Sequence, residues 1–504
     1  MIMNEKPLVR KMREEYRYFG GLSFIYGLIF TFCFYRNTYG ITFPVCVAVT
    51  IVFAVLFMKK IGYVLQKKSL PYIAGMFLLS ISTTLTTSFF LCFFNWIGVI
   101  LLLFVFMIHQ FYNDMEWNLP GYLKRILILL GTTLEYLPKP YSHGMSYFGG
   151  NKNGKNRTIA AVAIGCITAV GMLCIILPLL LRSDKVFSRL FGELLKHINF
   201  VTIIGVSVTF IVGFTLCYAF FGALCKYNFP RYTGQVMKTY NPVVGITFTS
   251  IISVIYLLYC VIQIMYLFLG IQRGLPVNVT YSQYARGGFW ELLFVGIINF
   301  VMVLLCMYLF SENIVLKAVL TVISGCTFIM IISAAYRMMM YIGAYHLTFL
   351  RILVMWFLVV LALIMGGVIV SMYKKKFPLF HYIMAVVGVL YIVLSFSRPD
   401  AIVARYNIAH AEYLEYNDII YLTQLSKDAA PAIAEIDSSK FSDMDVKARV
   451  YDYFYCISRE EENIYFRKAN YSRIRAKLAA EKYIKEHQDS QVNDFDDYEE
   501  YFYR

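Results

Sequence analysis

Long apolar runs separated by short polar segments dominate the first 396 residues of the chain. The runs are close to the length of about 20 residues that a helix needs to cross the hydrocarbon core of a bilayer. In that medium only a helix satisfies every backbone N–H and C=O within one segment, which excludes a transmembrane barrel. The pattern predicts about eleven membrane-spanning helices, at 19–35, 40–58, 72–88, 91–108, 158–181, 201–224, 243–269, 291–310, 318–336, 352–373 and 378–396.

Two connecting segments are amphipathic rather than simply polar. In residues 122–136, leucines and isoleucines recur at helical spacing beside Lys124 and Arg125, which is typical of a helix lying at the membrane interface. Residues 182–200 show the same kind of pattern. We expect both segments to lie along the membrane surface.

The pattern changes after residue 397 to that of a polar helical module. Helical periodicity predicts helices at 401–413, 417–425, 443–457 and 460–485. This part carries a net charge of −6, in contrast to the +15 of the whole chain. The sequence therefore predicts two domains: a transmembrane helical domain, residues 1–396, with a cytoplasmic loop at 109–157, and a small helical domain, residues 397–504.

Composition supports this all-α polytopic bundle. Apolar residues make up 59% of the chain and charged residues 15%, whereas soluble domains carry about 25% charged residues. Lysine and arginine are unevenly divided between alternate loops, with 22 in the set that includes the N-terminus and 9 in the other. Because cytoplasmic loops are enriched in these residues, we expect a cytoplasmic N-terminus and an extracytoplasmic C-terminal domain in the cell membrane.

The same distribution of charge indicates which partners to expect. The basic residues are dispersed among loops that would face anionic lipid, so membrane lipids are the expected partners and nucleic acid is not. Ten of the eleven cysteines lie in or beside predicted spans, and no two cysteines form a CxxC pair. None of the seven histidines has metal-ligand spacing. The sequence therefore predicts neither a metal site nor a cofactor.

Candidate chemistry is concentrated at span ends on the predicted outer face. Arg286, Glu291, Arg337 and Arg351 lie there, where an isolated charge would be costly, so Glu291 is expected to pair with an arginine. One interpretation makes these residues interfacial anchors with a structural ion pair. The other makes them a pocket for an anionic head group, a sugar phosphate or an ion, because a guanidinium can grip phosphate or carboxylate with two hydrogen bonds.

Five segments of the chain resemble a known family: TYSQYARGGFWEL (280–292), SAAYRMMMYIGAYHLTFLR (333–351), RPDAIVARYNI (398–408), YLTQLSKDAAPAI (421–433) and NYSRIRAKL (470–478). They are similar to segments of the bacterial multi-pass proteins called domain of unknown function 4173, relatives of family 4153. The resemblance implies a bacterial, Gram-positive envelope protein with no assigned reaction. It also implies that glycine is usual where His346 stands, and that the family's recurring positions are Arg286, Glu291, Arg337, Tyr345, Arg351, Asp400 and Asn407.

Three functions remain open at this stage. A transporter or lipid-handling protein would use a path between the spans. A membrane enzyme would use the arginine and glutamate cluster on a lipid-linked or phosphate-bearing substrate. A sensor or scaffold would bind an envelope protein through residues 397–504.

Overall fold

The computed structural model of the protein describes residues 6–111, 119–149, 200–226, 240–265, 281–374, 377–460 and 466–502, together with Met172, Ile176, Leu180 and Ser183. Helices make up almost all of this part of the chain. The only β contacts within it are two isolated bridges, Tyr240 with Phe310 and Leu414 with Phe441. The fold is all-α, as the sequence predicts.

Eight helices are described up to residue 226. They are α1 (Pro7–Glu14), α2 (Tyr16–Phe34), α3 (Thr42–Ile61), α4 (Leu70–Leu85), α5 (Phe89–Phe111), α6 (Leu119–Glu135), α7 (Lys139–Gly149) and α8 (Phe200–Lys226). Ten more follow among the described residues. They are α9 (Pro242–Gln263), α10 (Tyr281–Leu309), α11 (Ile314–Tyr345), α12 (Phe349–Tyr373), α13 (Leu379–Phe396), α14 (Pro399–His410), α15 (Tyr416–Gln424), α16 (Ala430–Ala434), α17 (Met444–Glu460) and α18 (Tyr471–Phe502).

Nine of the described helices are long and apolar enough to cross a membrane, namely α2, α3, α5 and α8 to α13. They match nine of the eleven predicted spans. The predicted span 72–88 corresponds to α4, which has 16 residues and is shorter than a typical crossing helix. The predicted span 158–181 lies, apart from three single residues, outside the described part of the chain. The protein is therefore a multi-pass membrane protein.

The two predicted interfacial segments have different outcomes. Helix α6 covers the first almost completely, since it runs from Leu119 to Glu135. The second, 182–200, lies outside the described residues except at its residues Ser183 and Phe200.

Side-chain caps explain several helix starts. Asn313 accepts hydrogen bonds from the backbone N–H of Val315 and Leu316 and so begins α11. Thr348 begins α12 in the same way through the N–H of Arg351. These oxygens satisfy N–H groups that have no partner within the helix.

In the C-terminal segment, α14, α15 and α17 lie within three residues of the predicted bounds, whereas α16 was not predicted. Buried residues between Ala404 and Tyr483 form a core that includes Ile419, Phe454 and Tyr483. The predicted helix 460–485 is wrong at both ends, because α18 begins only at Tyr471 and continues to Phe502. Asn470 ends the preceding stretch by accepting from the backbone N–H groups of Ser472 and Arg473, which is the geometry of a helix N-cap.

The chain divides into two compact units. Unit 1 comprises Met1–Ile81, Trp96–Arg231 and Phe466–Lys468, and unit 2 comprises Ser82–Asn95, Tyr232–Tyr465 and Ala469–Arg504. Unit 2 thus contains most of the C-terminal segment together with the residues that join α4 and α5. That residues 397–504 form a separate domain that folds alone stays a prediction.

Candidate functional site

Three of the seven sequence-predicted site residues meet in unit 2, at the loop between α11 and α12. The amide nitrogen of Asn407 donates to the Leu347 carbonyl at 2.9 Å, and its oxygen accepts from the Leu347 N–H at 2.8 Å. Arg351 donates to the carbonyls of Tyr345, at 2.6 Å, and of His346. Asn407 therefore holds the loop in place, and Arg351 caps the last carbonyls of α11.

Two cavities lie beside this loop. The one lined by Tyr345, Asn407 and Tyr421 measures about 180 Å³. The other measures about 300 Å³ and has Trp290, Tyr341 and Arg351 in its wall. The Arg351 guanidinium carbon lies 4.2 Å from the centre of the Tyr341 ring, a cation–π distance. Both cavities are small, and the wall of neither includes Glu291 or Arg337.

Arg337 and Glu291 form no ion pair with each other among the described side chains. Arg337 is buried and donates to the Gln263 side-chain oxygen at 3.3 Å, which also accepts from Ser333 at 2.8 Å. Glu291 is exposed and, among the described side chains, forms no ion pair with Arg337 or Arg351. Arg286 lies in α10, but its side chain is outside the described part of the structure. The role of these residues stays a prediction.

Asp400 belongs to a buried polar network that the sequence did not reveal as a unit. Burial raises the pKa of its carboxyl, and the nearby Asp428 carboxylate raises it further, while Ser426 and Ser88 oppose the change. Asp428 has a fully buried side chain, accepts from the Thr86 hydroxyl and lies 3.5 Å from Arg398. Asp428 thus has Arg398 as its partner, and Asp400 lies near the Asp428 carboxylate, which favours the protonated form of Asp400.

The same network includes the start of α18. The amide of Asn470 donates to the backbone carbonyls of Thr83 and Thr86 at 3.0 and 3.1 Å. The guanidinium carbon of Arg398 lies 5.2 Å from the ring centre of Tyr471. The polar groups of the turn after α4 are therefore satisfied by side chains from the C-terminal segment, which is what burial requires of them.

Unit 1 contains a larger cavity of a different chemistry, about 360 Å³ in volume, between helices α2, α3, α4, α5, α6 and α8. We call it the apolar cavity. Nine aromatic side chains contribute to its wall: Tyr26, Phe30, Phe34, Phe43, Phe53, Trp96, Phe104, Phe220 and Phe221. The hydroxyls in the wall bond within the protein. Thr50 donates to the Cys46 carbonyl and lies 3.0 Å from the Tyr26 hydroxyl, and Thr133 donates to the Leu129 carbonyl.

This lining determines what the apolar cavity can hold. A buried water molecule needs two to four polar partners, and here the hydroxyls are already engaged. Cavities of roughly 300 to 1,000 Å³ with mainly apolar walls are typical of small-molecule sites. A hydrocarbon chain is the chemistry that fits the wall.

One end of the apolar cavity meets a polar turn. Phe34, the last residue of α2, and Phe43, in the first turn of α3, line the cavity with Trp96, and their rings are centred 4.7 and 4.6 Å from that of Trp96. Next to them, Asn37 donates to the Arg467 carbonyl at 2.8 Å, and Arg467 donates to the Tyr35 carbonyl. The segment Phe466–Lys468 therefore lies against the turn between α2 and α3.

Comparison with known families decides the chain's membership. The profile of a family described as a domain of unknown function, DUF4153, matches residues 73–436, which is more than half of the chain. The chain belongs to the DUF4153 family. No curated protein and no solved structure matches it.

The DUF4153 match covers only part of each site. It includes Asp400, Asp428 and the 346–348 loop of unit 2, but ends before Asn470. Of the apolar cavity it includes α5, α6 and α8, but not α2, α3 or Arg467. The family description assigns no function to any of these residues.

Sequence reasoning missed the apolar cavity and most of the buried network. Arg398, Asp428 and Asn470 all stand within the segments that resemble family 4173, so that resemblance was the signal that could have identified them. No comparable signal marks the apolar cavity, because its wall residues are the same types that face lipid elsewhere.

Proposed function

We propose that this protein binds a membrane lipid and holds its hydrocarbon chain in the apolar cavity of unit 1. The observation that carries the proposal is the apolar cavity itself, with its aromatic wall and its bonded hydroxyls. The helices around it also present large apolar side chains on their outer faces, such as Phe24, Val45 and Val52. These faces would be surrounded by lipid, which is then the apolar molecule most available to fill the apolar cavity.

Two valines of α3 allow a matched test. Val47 lines the apolar cavity and is 5% exposed, whereas Val45 is 49% exposed and is not part of the wall. We expect Val47→Phe to occupy part of the cavity and to reduce the lipid retained by the purified protein about fivefold or more. Val45→Phe adds the same ring to an outer face and should leave retention unchanged.

The measurement is native mass spectrometry of the full chain after extensive washing with mild detergent. Filling a cavity generally does not destabilise a protein, so the thermal midpoints of both variants should stay close to that of the wild type. Equal retention by the wild type and Val47→Phe would contradict the proposal, as would a wild-type protein that retains no lipid.

A membrane enzyme is the second candidate. The observation in its favour is the buried Asp400 beside Asp428, because acids whose pKa is raised, as that of Asp400 is, cluster at active sites. Neither residue lines a cavity large enough for a lipid-linked substrate among those beside the 346–348 loop. The lipid-binding proposal therefore has the stronger support.

We extend the proposal to the orientation of the protein in the membrane and to its partner. We place the N-terminus in the cytoplasm and residues 397–504 outside it, in a bacterial envelope, on the basis of the 22 and 9 basic residues in alternate loops. The five similar segments support kinship with family 4173 as well. A partner protein in the envelope would bind through residues 397–504, whose net charge of −6 distinguishes them from the rest of the chain.

A further inference from the structure

We propose that the lipid in the apolar cavity carries a phosphate, and that the guanidinium groups of Arg36 and Arg467 bind it. This inference rests on the proposed function, because the phosphate is attached to the chain that the cavity holds. It adds the class of lipid and the residues that would select it.

The two arginines lie at the same turn, between α2 and α3. Phe34 and Phe43 line the apolar cavity, and the turn that joins them contains Arg36. Arg467 lies against the same turn, since it donates to the Tyr35 carbonyl and its guanidinium carbon is 5.5 Å from the ring centre of Phe32. A lipid whose chain occupied the cavity would therefore bring its head group to this turn.

The turn holds the backbone of Arg467 in place. Asn37 donates to the Arg467 carbonyl at 2.8 Å and to the Thr42 hydroxyl at 2.7 Å. A Cβ atom added to Gly40 would collide with the Arg467 carbonyl oxygen, so the segment Phe466–Lys468 approaches the turn as closely as a glycine permits. The backbone of Arg467 is thus held at the turn, and the guanidinium uses one of its donors on the Tyr35 carbonyl, which leaves the others for a ligand.

The two guanidinium groups keep hydrogen-bond donors that a ligand could use. The Nε of Arg467 is buried and has no hydrogen-bond partner among the described residues. A buried donor without a partner is unfavourable, and a guanidinium carries five donors in a fork that matches phosphate oxygens. Arg36 is exposed, and its guanidinium carbon lies 5.5 Å from the centre of the Tyr35 ring.

The turn and the segment that lies against it carry positive charge. Residues 35–41 and 466–468 contain Arg36, Arg467 and Lys468 and no carboxylate. Arg36 also adopts a left-handed backbone conformation, with φ of 53°, which L side chains rarely take. Such conformations recur at binding sites, where the surrounding structure maintains them. This turn suits an anion and not a cation.

The experiment compares three probes on the full chain in detergent, by native mass spectrometry titration. The probes are dioleoyl phosphatidic acid, dioleoylglycerol with the same chains but no phosphate, and inorganic phosphate. We expect phosphatidic acid to bind about tenfold or more tightly than dioleoylglycerol, since charge-assisted hydrogen bonds are the strong ones. Inorganic phosphate should compete only weakly.

Variants then assign the preference to residues. Arg467→Gln and Arg36→Gln should each reduce the affinity for phosphatidic acid about tenfold and leave that for dioleoylglycerol unchanged. Arg475→Gln, at an exposed arginine elsewhere, is the control. If Arg467→Gln fails to fold because the Tyr35 carbonyl loses its donor, Arg36→Gln still decides, because the exposed Arg36 guanidinium contacts the Tyr35 ring and donates no side-chain hydrogen bond to the described residues.

The outcomes separate this inference from the proposed function. Equal affinity for phosphatidic acid and dioleoylglycerol, both lost in Val47→Phe, would overturn the phosphate site and leave lipid binding intact. Binding of neither lipid would overturn both. Strong binding of inorganic phosphate alone would show that the arginines form an anion site unconnected with the cavity, and would equally overturn the inference.

Discussion

At the scale of single residues, burial in unit 2 disfavours the charged form of the Asp400 carboxyl. Asp400 loses hydration in the fold and faces Asp428, and both effects raise its pKa. Asp428 in turn obtains the Arg398 guanidinium and the Thr86 hydroxyl as partners. The network therefore accommodates one negative charge more easily than two.

Replacement of Asp400 by asparagine tests this directly. Because its pKa is raised in the fold, the stability that the neutral acid contributes is fully present below the ordinary pKa and is lost as the pH rises through the raised value. Asp400→Asn should therefore raise the thermal midpoint at neutral pH, by the equivalent of about 1 kcal/mol or less. The advantage should vanish at a pH below about 4.

Asp437 provides a control of opposite sign. Hydrogen bonds from Ser439 lower the pKa of its exposed carboxyl, so its contribution is present above the ordinary pKa and is lost as the pH falls. Asp437→Asn should not raise the midpoint at neutral pH. Thermal melts of both variants at several pH values provide the measurement, and a lower midpoint for Asp400→Asn at neutral pH would contradict the expectation.

His346 offers a second test at this scale. Its φ of 62° and ψ of 178° fall in a region that is essentially restricted to glycine. This explains why glycine would be usual there in the family that the sequence resembles. His346→Gly should stabilise the protein by about 1 kcal/mol, because relief of the strain exceeds the added freedom of the unfolded chain.

His346→Ala is the matched control, since alanine removes the imidazole but keeps the Cβ that causes the strain. The two variants are compared by their thermal midpoints in the same detergent. If alanine stabilises as much as glycine, the side chain and not the backbone is responsible.

At the scale of elements, apolar runs predicted the spans well because their length alone determines whether a helix can cross the bilayer. The start of α18 was not predictable in this way. Asn470 ends the preceding stretch while its amide donates to carbonyls of Thr83 and Thr86, more than 380 positions away in the chain. A window along the sequence cannot contain both partners, so the pattern continued the helix back to residue 460.

The polar network makes a prediction about the C-terminal segment. The isolated fragment 397–504 retains the core that includes Ile419, Phe454 and Tyr483, so it should give a helical circular dichroism spectrum and a cooperative melt. In the full chain, Asp428→Ala should lower stability by about 3 kcal/mol, since it leaves Arg398 without its carboxylate.

The fragment lacks Thr86, so part of this network is missing from it. Asp428→Ala should therefore cost the fragment less than it costs the full chain, by thermal melts of both. A random-coil spectrum for the fragment would show that residues 397–504 are not a separate folding unit.

At the scale of the whole molecule, the two units differ in what they bury. Unit 1 buries a cavity with aromatic walls, and unit 2 buries hydrogen-bonded side chains such as Asp428 and Asn470. Hydropathy could not distinguish them, because Phe34 in a cavity wall and Phe24 on an outer face are identical in a sequence profile. Which apolar residues enclose a cavity depends on helix pairing, and pairing is not encoded in the period of any single helix.

Orientation in the membrane is the property of the whole chain that the sequence predicts most directly. The turn with Arg36 follows α2, and the loop with Val64 follows α3, so a spanning α3 places them on opposite sides. The excess of basic residues predicts that the Val64 side is cytoplasmic. The proposed phosphate site would then face the outer leaflet.

Impermeant thiol reagents can decide this in intact cells. Val64 is 84% exposed and Ser439 is exposed, so a cysteine at either position is accessible to reagent on its own side. In a background without the native cysteines, Ser439→Cys should label before permeabilisation and Val64→Cys only after it. The reverse pattern would invert the topology, and a lipid would then reach Arg36 and Arg467 from the inner leaflet.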